Sequence, residues 1–380
     1  MIIFWKSLAP ALILIFIAST TCPLLERSSD DRLDEEVRSV LASQHVPGAA
    51  ITVVRNGKVL KEILFGSANL QLEVPVRRET KFQLASVTKV FSVVGLLLLE
   101  QGGKLSLDDP VSKHLSGLPN QWGDVTLREL ATHTSGLPDI IANPNKPLSQ
   151  IELGRSADEA LRDATTRPIA APPGSRFQYD QTNYLLIMRV IEHVSGQSFR
   201  EFLTAHVLQP AMPQTTWGDA RSVVMGRSDM YTALKGEGIQ NGGNLFEYPT
   251  YLDAAAGLNS NIIDMERFAC LLTSGKMLSA SELDRMWQPA RERSGRIVDI
   301  AKDMELPGVA APAAGWFYAD NSSGKYPRVF MAGGSATSIL VFPKQGLCIV
   351  VLTNLQAKDD PLPIAESIAK FYLPNLEPLF

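Results

Sequence analysis

An α+β fold is the architecture this sequence predicts: an antiparallel β-sheet with flanking helices, joined to a mostly helical domain. Three observations predict it. β-branched runs flank Asn56-Gly57 near the start of the chain. Strand-like runs return near its end, at Gly315–Tyr318, Thr337–Phe342 and Leu347–Leu352. Between them, from about 105 to 215, apolar residues recur at helical spacing and proline-rich loops separate the segments. The expected sheet domain therefore combines 26–104 with 216–380, and the helical domain is 105–215.

The elements follow in order. Lys6 is the only charge before Glu26, and an apolar run from Leu8 to Ala18 leads into Ser19, Thr20 and Thr21. That is the pattern of a secretory leader, so residues 1–25 read as a signal peptide cleaved within 18–26, with an uncleaved membrane anchor as the alternative. The expected location is exported, periplasmic or extracellular. Asp34–Gln44 reads as an amphipathic helix, and Asn56-Gly57 as the two-residue turn of a hairpin. Thr88–Gln101 is an apolar helix stopped by Gly102-Gly103. Thr126-Leu-Arg-Glu129 has the form of a capping box. Asn143–Pro147 and Arg167–Gly174 are loops, and Asn183–Val194 is a helix closed by Gly196. Pro343–Gly346 joins the last two strands, and Pro363–Tyr372 is a closing helix.

Composition narrows the function. The 380 residues are 45% hydrophobic and 20% charged, with a formal net charge of −4. No basic patch suited to a phosphate backbone is present, so nucleic acid is not an expected partner. Cys270 and Cys348 sit in apolar runs and read as buried small hydrophobes. The five histidines are scattered and no cysteine–histidine set has zinc spacing, so neither a metal nor a cofactor is expected.

The chemistry centres on Ser86-Val-Thr-Lys89. A serine at a helix start offers its N–H to an incoming carbonyl oxygen, where the helix dipole favours negative charge. A lysine three positions on lies on the same face one turn later, within reach of the hydroxyl. A weakly acidic hydroxyl needs such a neighbour to become a nucleophile. The same spacing recurs at Ser322–Lys325, in a polar glycine-containing segment that reads as a solvated turn. Tyr179 precedes an apolar helix, and a tyrosine beside a lysine can relay protons. No Gly-x-Ser-x-Gly elbow is present.

Several segments, in order, resemble one family: class C β-lactamases, serine D-alanyl-D-alanine peptidases and the esterases related to them. They are Leu84–Lys89, Leu105–Val111, Thr126–Pro138, Pro173–Tyr179, Asn183–Gly196, Ala256–Ser260 and Met331–Gly334. The resemblance spans roughly 35 to 355 and implies a β-lactamase/transpeptidase-like fold. It also implies a cleft in which Ser86 is acylated and Lys89 and Tyr179 transfer protons. The N–H groups of Ser86 and Gly334 would form the oxyanion hole, with Gly333 beside them. His133 falls in a run that the resemblance makes a structural helix end.

Two motifs depart from the family. Asp180 and Gln181 stand where serine and asparagine are usual, and Met331 where lysine or histidine is usual. Gln181, Met331 and Gly333 are the expected substrate contacts; Gln181 can still offer an amide, and Asp180, if it faced inward, would act on Tyr179. Met331 cannot bind a carboxylate, and Lys325 or Arg328 are the nearby cations that would have to replace that function. The expected function is hydrolysis of an ester or amide through an acyl-enzyme, esterase-like or β-lactamase-like, on a small molecule or short peptide. The alternatives are a D-alanyl-D-alanine carboxypeptidase, and a binding protein that keeps the cleft without turnover.

Overall fold

The computed structural model describes residues 29–141, 156–219, 222–234, 238–241, 249–321, 324–334, 336–356 and 361–379. The expected leader, the Asn143–Pro147 loop and Ser322 of the second serine–lysine pair lie outside them.

Eight strands form the main sheet: β1 Gly48–Arg55, β2 Lys58–Asn69, β3 Val74–Pro75, β4 Val309–Ala313, β5 Trp316–Asp320, β6 Arg328–Gly333, β7 Thr337–Phe342 and β8 Leu347–Thr353. Their spatial order is β3-β2-β1-β8-β7-β6-β5-β4, antiparallel throughout, so the first hairpin pairs with the last strand. The join is the β1–β8 ladder, from Ala49 opposite Thr353 to Arg55 opposite Leu347. Asn56 (φ 49°) and Gly57 (φ 76°) turn β1 into β2 with two left-handed residues, the twist a tight hairpin requires. β4 was not legible in the sequence, because Val309-Ala-Ala-Pro-Ala313 carries little strand propensity.

Alternation in the strands builds two cores. On one face, Ile51, Ile349, Val351 and Phe330 pack with helices α1 (Ser29–Ser43) and, at the far end of the chain, Leu362–Tyr372, through Leu33, Val37, Leu41, Ile364 and Ile368. On the other face, Ala50, Cys348, Val350, Ile339 and Val341 meet α2 (Thr88–Gln101) and the helices that follow it. α2 is buried on nearly every side, as its unbroken apolar run requires. Between 105 and 215 the described elements are helical. They include α3 (Leu127–Ala131), opened by the full Thr126–Glu129 capping box, and α4 (Thr182–Ser195), ended by Gly196 in the left-handed conformation. α5 (Asp253–Ala256) and α6 (Ile262–Thr273) then lead back to the sheet. α2, α4 and α5 pack on one another, and their contact holds the site described next.

Candidate active site

The site is built at the entry to α2. Ala85–Val87 is a single 3-10 turn immediately before that helix, and Ala85 is left-handed (φ 44°). A non-glycine residue is rarely found there, and such strain persists only where the surroundings enforce it. The surroundings are tight: Leu84 donates its N–H to Leu258 O and accepts at its own carbonyl from Thr337 Oγ1. Ser86, at the centre of the turn, is part-exposed between buried neighbours.

Lys89, one turn on, is 1% exposed. Its Nζ donates to Ser86 Oγ at 3.3 Å and to the main-chain oxygen of Ala255 in α5 at 3.1 Å. The ammonium also lies over the rings of Tyr179 (4.9 Å) and Tyr184 (5.1 Å), whose negative faces compensate part of its burial. The hydroxyl of Tyr179 donates to the same Ser86 Oγ at 2.9 Å. Residues 86, 89 and 179 thus share one oxygen, although 93 positions separate the serine from the tyrosine.

The opposite wall is the turn from β6 to β7. A Cβ on Gly333 would sit 2.1 Å from Leu84 O, so only glycine lets this turn close on the serine turn. Gly334 is left-handed (φ 56°) and next to Ala85. Among the described residues, neither the N–H of Ser86 nor that of Gly334 is spent on a carbonyl.

The remaining expected residues fall differently. Gly333 and Met331, expected to face substrate, are buried: Gly333 is closed against Leu84 and Met331, 3% exposed, packs in the core. Arg328 does not replace the missing cation. It is fully buried and ion-paired with Glu366 of the C-terminal helix. Lys325 precedes β6 at the end remote from Gly333, with its ammonium over the ring of Tyr326. Asp180 does not face the phenol either. It accepts from the N–H of Asn183 (2.9 Å) and from Asn183 Nδ2 (2.7 Å), capping the start of α4. Burial first, and then Asp139, pushes its carboxyl well above the usual range. Gln181 is part-exposed, donates its N–H to Asp139 Oδ1 at 3.1 Å, and leaves its buried Oε1 without a protein partner.

Sequence reasoning missed Ala255, Tyr184 and Asn183. Ala255 contributes through a main-chain oxygen, which carries no residue-type signal. Tyr184 and Asn183 lie within the apolar pattern of α4, where nothing distinguishes a site residue from a core one.

An antiparallel sheet between helical layers, with a serine, lysine and tyrosine converging at a helix entry, defines the class. The chain belongs to the Beta-lactamase family, whose model matches residues 33–371. It is 27% identical over 354 residues to Protein flp of Staphylococcus aureus (strain MW2), covering 89% of this chain and 65% of that protein. The chain thus spans just under two thirds of that relative. Among solved structures it superposes on the octameric penicillin-binding protein homologue from Pyrococcus abyssi with a TM-score of 0.75 at 23% identity, covering 90% of this chain and 77% of that one. EstCE1, a hydrolase with promiscuous acyltransferase activity, gives 0.71 at 20% identity, covering 90% and 98%. These likenesses place the fold in the β-lactamase/transpeptidase class.

Proposed function

We propose that the protein is a serine hydrolase that cleaves uncharged esters or small amides through an acyl-enzyme on Ser86. One observation carries this reading: Ser86 Oγ lies 2.9 Å from the Tyr179 hydroxyl and 3.3 Å from Lys89 Nζ. In the proposed reaction Ser86 Oγ bonds to the substrate carbonyl carbon while its proton passes to the Lys89–Tyr179 pair, one member of which enters the step deprotonated. The oxygen gains negative charge beside the N–H groups of Ser86 and Gly334, whose freedom from other acceptors suits them to it. The pair returns the proton to the departing alcohol or amine. Water, deprotonated by the same pair, then attacks the acyl carbon and frees Ser86.

The preference for an uncharged acyl group rests on β6. Met331 is sealed in the core and Arg328, the sole cation on that strand, is committed to Glu366. We further propose export from the cytoplasm, on the Lys6, Leu8–Ala18 pattern. N-terminal sequencing of the protein recovered from the cell exterior tests that.

The activity test is labelling with a fluorophosphonate, followed by a panel of short-chain p-nitrophenyl esters, amides and β-lactams. Labelling and ester turnover lost in Ser86→Ala are expected. A wild-type protein that neither labels nor turns over any of the panel refutes the reading in favour of a binding protein. Penicillin labelling with slow release would transfer it to a D-alanyl-D-alanine carboxypeptidase.

A further inference from the structure

We infer that His133 is a positioning residue for Tyr179, fixing the phenol against Ser86 from three directions. The inference rests on the acyl-transfer reading above. Tyr179 stands on an irregular segment between the Pro172–Gly174 turn and α4, so no helix or strand ladder fixes it. His133 supplies that restraint. Its carbonyl accepts from Gln178 N–H at 2.8 Å, and its Nδ1 accepts from Asp180 N–H at 3.3 Å. The residues on either side of the tyrosine are therefore tied to one residue. The third tie is the ring, which lies against the Tyr179 ring with centroids 4.3 Å apart and 31° between planes.

The imidazole is itself held. Nδ1 also accepts from Asn183 Nδ2 at 3.2 Å, while Asn183 Oδ1 accepts from Ser135 Oγ at 2.6 Å, which orients the amide. Two donors facing Nδ1 place the ring proton on Nε2. Tyr184 lies 5.2 Å away on a tilted ring and Phe177 meets the imidazole edge-on at 6.1 Å. Burial, and then the Lys89 ammonium, hold the His133 pKa well below its usual value, which keeps Nδ1 an acceptor. The backbone at His133 is left-handed (φ 55°), a strained conformation for a histidine. A ring that merely filled the core would not require that backbone or the two ties flanking the phenol.

Two variants separate positioning from packing. His133→Asn tolerates the left-handed backbone and keeps an oxygen acceptor near the place of Nδ1. His133→Phe keeps a ring against Tyr179 but leaves Asp180 N–H without its acceptor. Single-turnover acylation by a p-nitrophenyl ester is measured per fluorophosphonate-titrated site, together with KM and thermal midpoint. A displacement of about 1 Å in a reacting group costs on the order of 100-fold in rate. The expected result is that loss in acylation for His133→Phe with KM within about threefold, and a loss under about tenfold for His133→Asn. Wild-type acylation per site in folded His133→Phe overturns the inference, as does a fall in thermal midpoint alone in both variants. If the wild type turns over no substrate, the acyl-transfer reading falls separately. The crystal structure of His133→Phe then decides: a Tyr179 hydroxyl moved about 1 Å or more from Ser86 Oγ supports positioning, and an unmoved one refutes it.

Discussion

Replacing Gly333 by alanine tests the architecture of the site through a single methyl group. The added Cβ would lie 2.1 Å from Leu84 O and 2.7 Å from Thr337 Oγ1. An ordinary carbon–oxygen approach is about 3.3 Å, so one partner must retreat by about 1 Å. Leu84 cannot easily do so: its N–H is bonded to Leu258 O, and the turn it opens carries Ser86. Thr337 is fully buried, and its hydroxyl contacts the oxygens of both Leu84 and Gly333. The β6–β7 turn therefore moves away from the serine, taking the Gly334 N–H with it. Overpacking of this kind costs about 1–3 kcal/mol of stability. Losing one oxyanion donor costs about 100- to 1000-fold in the acylation rate. Stopped-flow acylation with a p-nitrophenyl ester, alongside urea unfolding, measures both. Gly334→Ala strains the donor residue itself: its Cβ meets Ala85 Cβ at 3.3 Å, and the left-handed backbone adds about 1–2 kcal/mol. If Gly333→Ala acylates at the wild-type rate, the turn is not held against Leu84 and the oxyanion assignment fails.

Other outcomes follow from the same contacts. Lys89→Met keeps the chain length but removes the ammonium from Ser86 Oγ and Ala255 O; acylation should fall by about 10⁴-fold or more with the fold retained, and near-normal burst kinetics would remove Lys89 from the mechanism. Arg328→Met takes the guanidinium from the 1% exposed Glu366 and should cost about 3–5 kcal/mol in urea unfolding while activity per folded molecule is unchanged; a loss under about 1 kcal/mol contradicts a buried pair. His133 also shapes stability against pH. Its pKa is depressed in the folded protein, so the unfolded chain binds the extra proton as pH falls below about 6.5. The contribution is complete above that pH and is lost by about 1.4 kcal/mol per unit below it, until the folded pKa is reached. Unfolding at pH 7.5 and 5.0 should show wild type losing stability relative to His133→Asn at the lower pH; a constant difference would mean the imidazole is not held neutral.

Much of the molecule is legible in local sequence. Asn56-Gly57 specifies its hairpin because few dipeptides accept two left-handed residues, and both do so here. The Thr126–Glu129 box and Gly196 mark helix ends by chemistry that acts within a few residues. The serine–lysine spacing has meaning only because a helix follows it. The same spacing at Ser322–Lys325 precedes strand β6 instead.

What the chain order determines alone is the set of elements and which side chains can carry charge, protons or a nucleophile. Tertiary structure decided their directions. Asp180 and Arg328 were available to the cleft by position, yet one caps α4 and the other lies on the sheet face covered by the C-terminal helix, paired with Glu366. Met331 was an expected substrate contact by resemblance and is a core residue by packing. The physical reason is that desolvating a charge is tolerable only beside a partner, and such partners lie far along the chain. Asp180 is held locally, by Asn183 three positions on, but Arg328 finds its partner 38 positions away and Lys89 a carbonyl 166 residues distant. No local pattern records such pairings.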